Sequence, residues 1–390
     1  MEYSIKTLNA ISPAIYTQLS DRYRVSDDAV HPHAILVRSA SMHEMELDPS
    51  VLCIARAGAG YNNIPVDKCS EAGVCVFNTP GANANAVAEM VLAGMLLSCR
   101  DIVGGIEWVR TLKGKGAEVE KAVEKGKKAF VGPELRGKTL GVIGLGAIGV
   151  LVANAAVQLG MTVVGYDPMI SVEHAWKLSG QIRRENSLDA LFACCDFITL
   201  HVPLNDKTRG LVGARALSLC RKGLRIMNFA RGGLVDEEAL IDALGDGRVT
   251  RYVTDVPSDA LIGMDGVIAI PHLGASTPES EDNCVDMISR QLEDYLETGS
   301  IVNSVNYPAC PLTDAFRYRL TVMHANVPNT VGRITSALAE QGVNIDNMVN
   351  KSRGEFAYTV LDLDDALSEE TIRRVEALEP VYRARYFARV

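Results

Sequence analysis

Between Thr139 and Gly149 the chain reads Thr-Leu-Gly-Val-Ile-Gly-Leu-Gly-Ala-Ile-Gly, a short apolar run that ends in G-x-G-x-x-G. An apolar helical pattern follows from Val150 to Leu159, and a second strand-like run, Met161 to Tyr166, closes on Asp167. Strand, glycine turn, helix and an acid at the next strand end together make a dinucleotide site. Gly144 permits the tight turn, Gly146 lets a pyrophosphate approach bare backbone, and Gly149 lets helix and strand pack closely. The helix start adds unpaired N–H groups and a positive dipole end for the phosphates. Asp167 stands where a carboxylate accepts hydrogen bonds from ribose hydroxyls. Its charge would repel a 2′-phosphate, so the pattern predicts NAD in preference to NADP. Glycines also occur in ordinary turns; here the flanking elements and the acid agree on the cofactor.

A length of 390 residues predicts two or three domains with sizeable cores. Apolar content of 47% and charged content of 22% are those of a soluble globular protein. A net charge of −9 argues against a nucleic-acid partner, which needs a basic surface. No apolar run approaches membrane-spanning length and no signal-like leader opens the chain, so a cytoplasmic protein without a membrane partner is expected. Nine scattered cysteines without a C-x-x-C pair read as reduced, mostly buried thiols. No ligand set at metal spacing occurs, so no metal is expected.

The fold class read from the chain is α/β with a smaller α+β tail. Residues 1–95 alternate strand-like runs (Ile35 to Val37, Val51 to Ala55, Val74 to Phe77) with helical ones, the signature of βα units on a parallel sheet. One long helix-like segment runs from Asn83 to Arg110, and residues 113–136 read as a solvated helix face and loop. Candidate strands at 139–144, 161–166, 196–202, 224–230, 251–255 and 267–270 give a doubly wound (Rossmann) domain over 96–282. A helix from Glu279 to Leu296 returns the chain to the first region, making a discontinuous domain of 1–95 and 283–312. The tail, 317–390, has the order βαββαβ of a small separate domain.

Chemistry has to lie near the nicotinamide, beyond the nucleotide-domain strands. Asn228-Phe229-Ala230-Arg231-Gly232-Gly233 puts a guanidinium at a strand end, suited to bidentate capture of a carboxylate. Pro271-His272-Leu273-Gly274-Ala275 puts a histidine after the last strand, and oxidation of a secondary alcohol needs a group that removes the hydroxyl proton. His31, His33, His43 and His174 join no such constellation.

These stretches, with Val37-Arg38-Ser39-Ala40, Ala57 to Ile64, Phe77 to Gly81, Glu134 to Thr139 and His201 to Leu204, resemble the D-isomer-specific 2-hydroxyacid dehydrogenases. Within that family the chain is similar to the short-form 3-phosphoglycerate dehydrogenases over nearly its whole length. The resemblance implies a flavodoxin-like substrate domain and NAD-dependent oxidation of 3-phospho-D-glycerate to 3-phosphohydroxypyruvate, the first step of L-serine synthesis. It also implies a homo-oligomer. It assigns catalysis to Arg231 and His272, and cofactor contacts to Gly144, Gly146, Ala147, Ile148, Gly149, Asp167, Phe229, Ala230, Asp255, Gly274 and Ala275. Substrate contacts fall on Arg38, Ser39 and Asn83, with Arg38 toward the phosphate, while His201 lines the cofactor site through its backbone. The family's D-V-F-x-x-E-P pattern is replaced by Asp255-Val256-Pro257-Ser258-Asp259-Ala260, and with one residue deleted Asp259 takes the place of the glutamate that orients the histidine.

The tail resembles an ACT domain through His324 to Gly332 and Gly342 to Ile345. Asn329 stands where a glycine usually follows the proline. In serine-sensitive relatives the effector lies between paired ACT domains on residues that match His324, Asn326 and Asn344, so L-serine is the expected effector. The same fold also serves glyoxylate and hydroxypyruvate reductases and NAD-sensing corepressors; the ACT-like tail weighs against both.

Overall fold

In the computed structural model, which describes residues 2–389, the chain divides into two compact units. One comprises the residues up to Ala82 together with those from Pro278 onward; the other is Asn83–Thr277.

The first unit opens with five parallel strands, β1 (Tyr3–Thr7), β2 (Tyr23–Ser26), β3 (Ala34–Val37), β4 (Cys53–Arg56) and β5 (Cys75–Phe77), in the order β2-β1-β3-β4-β5. That is the flavodoxin-like order. β3 is buried along its full length because both faces are covered, which is why it reads as an unbroken apolar run.

In the second unit the strands are β6 (Thr139–Ile143), β7 (Thr162–Tyr166), β8 (Arg183–Arg184), β9 (Phe197–Leu200), β10 (Leu224–Asn228), β11 (Val249–Thr254) and β12 (Val267–Ala269). All pair in parallel, in the doubly wound order β12-β11-β10-β9-β6-β7-β8. Every strand expected here is present. β8 is an addition, two exposed arginines with no apolar pattern to announce it.

Two expectations change. The helix-like stretch from Asn83 to Arg110 is two helices, α1 (Ala84–Cys99) and Ile102–Arg110. Arg100 between them is extended, and the Asp101 carboxylate accepts the Gly104 N–H to start the second one. The boundary near residue 95 also moves. Val87, Val91 and Met95 of α1 share a core with Leu140, Met227, Phe229 and Val253, so α1 belongs to the nucleotide unit. Gly94 lets α1 approach, since a Cβ there would fall 2.9 Å from the Phe229 ring. At the other boundary, residues 278–282 begin α3 (Pro278–Thr298) in the first unit; α2 is the nucleotide helix Ala147–Gln158.

The last sheet is antiparallel, with β13 (Tyr318–Ala325), β14 (Ile345–Arg353), β15 (Phe356–Leu363) and β16 (Val381–Ala388) in the order β14-β15-β13-β16. Helices α4 (Thr330–Ala339) and α5 (Glu369–Glu376) complete the βαββαβ order. Asn329, at the start of α4, has φ 68° and ψ 0°, the left-handed conformation that asparagine tolerates almost as glycine does. The substitution therefore preserves the loop.

This sheet is less separate than its sequence pattern suggests. Met323, Tyr358 and Val360 join the core built by β1, β3 and α3. Arg385 donates to the carbonyls of Tyr295 (2.9 Å) and Leu296 (2.8 Å), and buried Arg319 to that of Thr298 (3.1 Å) while pairing with Asp362 at 2.6 Å. The Tyr358 hydroxyl donates to Gly299 O at 2.7 Å. Two cations thus cap the carbonyl end of α3, where the helix dipole is negative.

Candidate active site

Residues that follow parallel strands emerge on one edge of the sheet, and in the second unit this edge collects the chemistry. Gly144 follows β6, Asp167 β7, Arg231 β10, Asp255 β11 and His272 β12.

The glycines fit a dinucleotide. Gly144 has φ 92° and a Cβ there would lie 2.4 Å from His201 O; one at Gly149 would lie 1.9 Å from Gly144 O. At Gly146 the Cβ direction is open, with nothing within 4 Å, and no side chain caps the first turn of α2, leaving the N–H groups of Ala147 and Ile148 for an anion. Asp167 locks this loop. One carboxylate oxygen accepts the Leu145 N–H and the other the Met169 N–H, both at 2.8 Å, and each keeps a lone pair for a ribose hydroxyl.

Arg231 is presented by Asn228, a buried side chain at the end of β10. Its amide donates to Arg231 O (2.9 Å) and to the Tyr252 hydroxyl (3.0 Å), and its carbonyl oxygen accepts the Ala230 N–H (3.2 Å). The motif alone points to Arg231 and gives no sign of this support. The Arg231 side chain is exposed, free to meet a substrate anion apart from one bond to Ala230 O.

His272 Nδ1 lies 3.9 Å from Asp255 Oδ2; the imidazole is 62% exposed and the carboxylate 2%. Asp255 Oδ1 is buried without a hydrogen-bond partner among the described residues, an acceptor suited to a cofactor amide. Burial pushes the Asp255 carboxyl above its usual range, against the opposing pull of His272 and Arg231.

Asp259 does not take the glutamate's place. It starts the short turn Asp259–Leu261, is itself exposed and makes no ion pair with His272. The turn is anchored by buried Leu261, and the preceding Ser258 donates to Glu237 at 2.8 Å. The carboxylate beside the imidazole is Asp255. His201 is no rival base, because burial lowers its pKa to about 3 and its Nε2 shares a hydrogen bond with Thr199 at 2.9 Å.

Of the expected substrate residues, Asn83 precedes α1 in this unit with its side chain uncommitted to capping. Arg38 and Ser39 follow β3 in the first unit. There Arg56, the last residue of β4 and opposite Val37 in the sheet, donates from Nε to Arg38 O at 3.1 Å; its strand-end position, one step from that of Arg38, was the available signal.

The effector residues do not gather. His324 is buried, with Nδ1 donating to Ala325 O and Nε2 sharing a hydrogen bond with Thr359, both at 2.8 Å, so neither nitrogen is open to a ligand. Exposed Asn326 donates to Gly354 O at 3.0 Å. The Asn344 backbone N–H donates to Asp364 Oδ1 at 3.2 Å, at the other end of the sheet. With His324 opposite Ala357 and Ile345 opposite Leu363, the two ends stand about 20 Å apart at ~3.3 Å per residue.

Comparison with known proteins gives a concordant picture. Residues 92–274 match the family model of the D-isomer specific 2-hydroxyacid dehydrogenase NAD binding domain. The D-3-phosphoglycerate dehydrogenase of Methanocaldococcus jannaschii is 36% identical over 316 residues, 80% of this chain and 57% of that protein. The Bacillus subtilis enzyme of the same name is 35% identical over 300 residues, 73% of this chain and 53% of its own length. The chain thus spans about half the length of these curated relatives. Among solved structures, NAD+-bound 3-phosphoglycerate dehydrogenase of Entamoeba histolytica superposes with a TM-score of 0.59 at 26% identity, covering 78% of this chain and 99% of that one. Rhodotorula graminis D-mandelate dehydrogenase, at 23% identity and a TM-score of 0.67 over 80% of this chain and 100% of its own, shares the fold.

Proposed function

We propose, from the match of residues 92–274 to the D-isomer specific 2-hydroxyacid dehydrogenase NAD binding domain, that the chain oxidises 3-phospho-D-glycerate to 3-phosphohydroxypyruvate, supplying L-serine synthesis. The observation that most supports this reading is the sheet edge that carries Arg231, Asp255 and His272 beside the glycine loop.

In this reading the Arg231 guanidinium binds the substrate carboxylate and so fixes C2. His272 takes the C2 hydroxyl proton as the C2–H electrons depart as hydride. Asp255, the buried charge beside it, favours the imidazolium that forms. The loop from Gly144 to Gly149 and Asp167 would hold NAD, with Phe229, Ala230, Asp255, Gly274 and Ala275 as its further contacts, and NAD would supply the hydride acceptor. Arg38, Ser39 and Asn83 bind the rest of the substrate, Arg38 the phosphate.

A panel of 3-phosphoglycerate, D-lactate, glyoxylate and hydroxypyruvate, followed by the absorbance of reduced nicotinamide, tests this. The highest kcat/KM is expected for 3-phosphoglycerate. Faster turnover of glyoxylate or hydroxypyruvate would make the chain a reductase, and NAD binding without any turnover would make it a sensor. If L-serine regulates the chain, its site spans two copies, because Asn326 and Asn344 stand at opposite ends of one sheet.

A further inference from the structure

Arg38 and Arg56 form a small cationic cluster in the first unit, and it is already partly occupied. The Arg38 backbone N–H donates to Asn9 Oδ1 at 3.0 Å, which fixes the residue just beyond β3. Its guanidinium Nη1 meets Glu281 Oε1, from the first turn of α3, at 2.5 Å, with the two side chains 40% and 37% exposed. Arg56 is half-buried, and burial together with the Arg38 charge lowers its pKa. It has no carboxylate within ion-pair distance among the described residues. Gly58 makes the room for it, since a Cβ there would fall 1.9 Å from Arg56 Nη1. The cluster therefore holds two guanidiniums against one carboxylate, and that carboxylate sits on the cation that an incoming anion would use.

We propose that Glu281 is a tethered competitor for the substrate's anionic end, so that an anion binds Arg38 only by displacing it. This rests on the reading that Arg38 faces the substrate phosphate. A phosphate monoester, with nearly two negative charges at neutral pH and three acceptor oxygens, can engage Arg38 and Arg56 together and so replace Glu281. A substrate with an uncharged end leaves the Arg38–Glu281 pair intact and loses nothing to it. Glu281 thus weakens binding of phosphorylated substrates selectively, setting their KM without touching the bond that reacts.

Glu281→Gln removes the charge and keeps the shape. The KM for 3-phosphoglycerate should fall about threefold to tenfold, the range expected for losing a half-exposed ion pair and a nearby like charge. Its kcat should stay within a factor of about two, and the KM for D-lactate should not move. Titration calorimetry with inorganic phosphate reads the same competition without catalysis: phosphate should bind more tightly to the variant, and Arg38→Ala should abolish the gain. An unchanged or raised KM for 3-phosphoglycerate, or an equal fall for D-lactate, would overturn the proposal while leaving the reaction itself standing. If the wild-type chain turns over no substrate, the phosphate titration alone decides, and equal affinities would overturn it. Glu281→Ala, checked for an unchanged melting temperature, guards against a folding defect in the first variant.

Discussion

Asp255 and His272 form a couple in which one partner is sealed from water and the other stands in it, with Oδ2 and Nδ1 3.9 Å apart. That separation is too long for a hydrogen bond and short enough for charge to be felt. Protonation of His272 during turnover would therefore strengthen the contact as the reaction proceeds, while the spare oxygen, Oδ1, remains for the cofactor.

Replacing His272 with alanine should lower kcat at least about a hundredfold, the usual cost of losing a positioned base. NAD affinity should hardly change, since the glycine loop and Asp167 remain. Retention of more than half the wild-type kcat would place the base elsewhere.

Asp255→Asn and Asp259→Asn should separate cleanly. The first removes the charge beside the imidazole and should depress kcat about tenfold or more. The second alters an exposed turn residue and should leave kcat within about twofold, as surface changes generally do. A larger loss from Asp259→Asn would show that the turn closes onto His272 during catalysis.

Stability should carry the Asp255 signature as well. Burial raises its folded-state pKa above the unfolded value, so its favourable contribution is present below the ordinary aspartate range and is lost as pH rises through the folded pKa. Asp255→Asn should therefore melt higher than wild type at neutral pH, with the difference shrinking as pH falls through the raised folded pKa toward about 4 and levelling off below it. Melting curves across pH check this; a difference that grows toward acid would mean the carboxylate is stabilised by its neighbours.

His201 works in the opposite sense. Its folded pKa, lowered to about 3 by burial, gives stability that is full above the unfolded histidine value and is lost as pH falls from there toward 3. His201→Gln should flatten the acid limb of the melting curve, and an unchanged limb would show that the ring is solvated.

His324→Ala should behave as a core mutation. It removes a buried ring together with its hydrogen bond to Thr359, whose hydroxyl keeps only Asn350 as a partner, and should lower the melting temperature, whereas Asn326→Ala, at an exposed site, should not. If L-serine inhibition is seen and survives both substitutions, the effector does not use this end of the sheet.

The glycine loop and the nucleotide-unit strands were legible because each depends on local chemistry, the turn at Gly144 requiring glycine, whereas Asn329 in place of a glycine left the α4 entry to be decided by its left-handed backbone. What sequence left open depends on distant packing. Spacing brought Asp259 to the family's glutamate position, but buried Leu261 anchors the turn that carries it. The break between Ala84–Cys99 and the next helix hangs on one Asp101 cap inside an apolar run. The commitment of Arg38 to Glu281 joins positions 243 residues apart (281 − 38), beyond the reach of any local pattern.

The arginine caps on α3 bear on whether the tail is detachable. A chain ending near residue 312 would expose the carbonyls of Tyr295, Leu296 and Thr298 without Arg385 and Arg319 to receive them, and would leave the Tyr295 side of the core without Met323, Tyr358 and Val360. The ACT-like sheet is in this respect a structural member of the first unit, so shuffling it between proteins would mean rebuilding the helix it terminates.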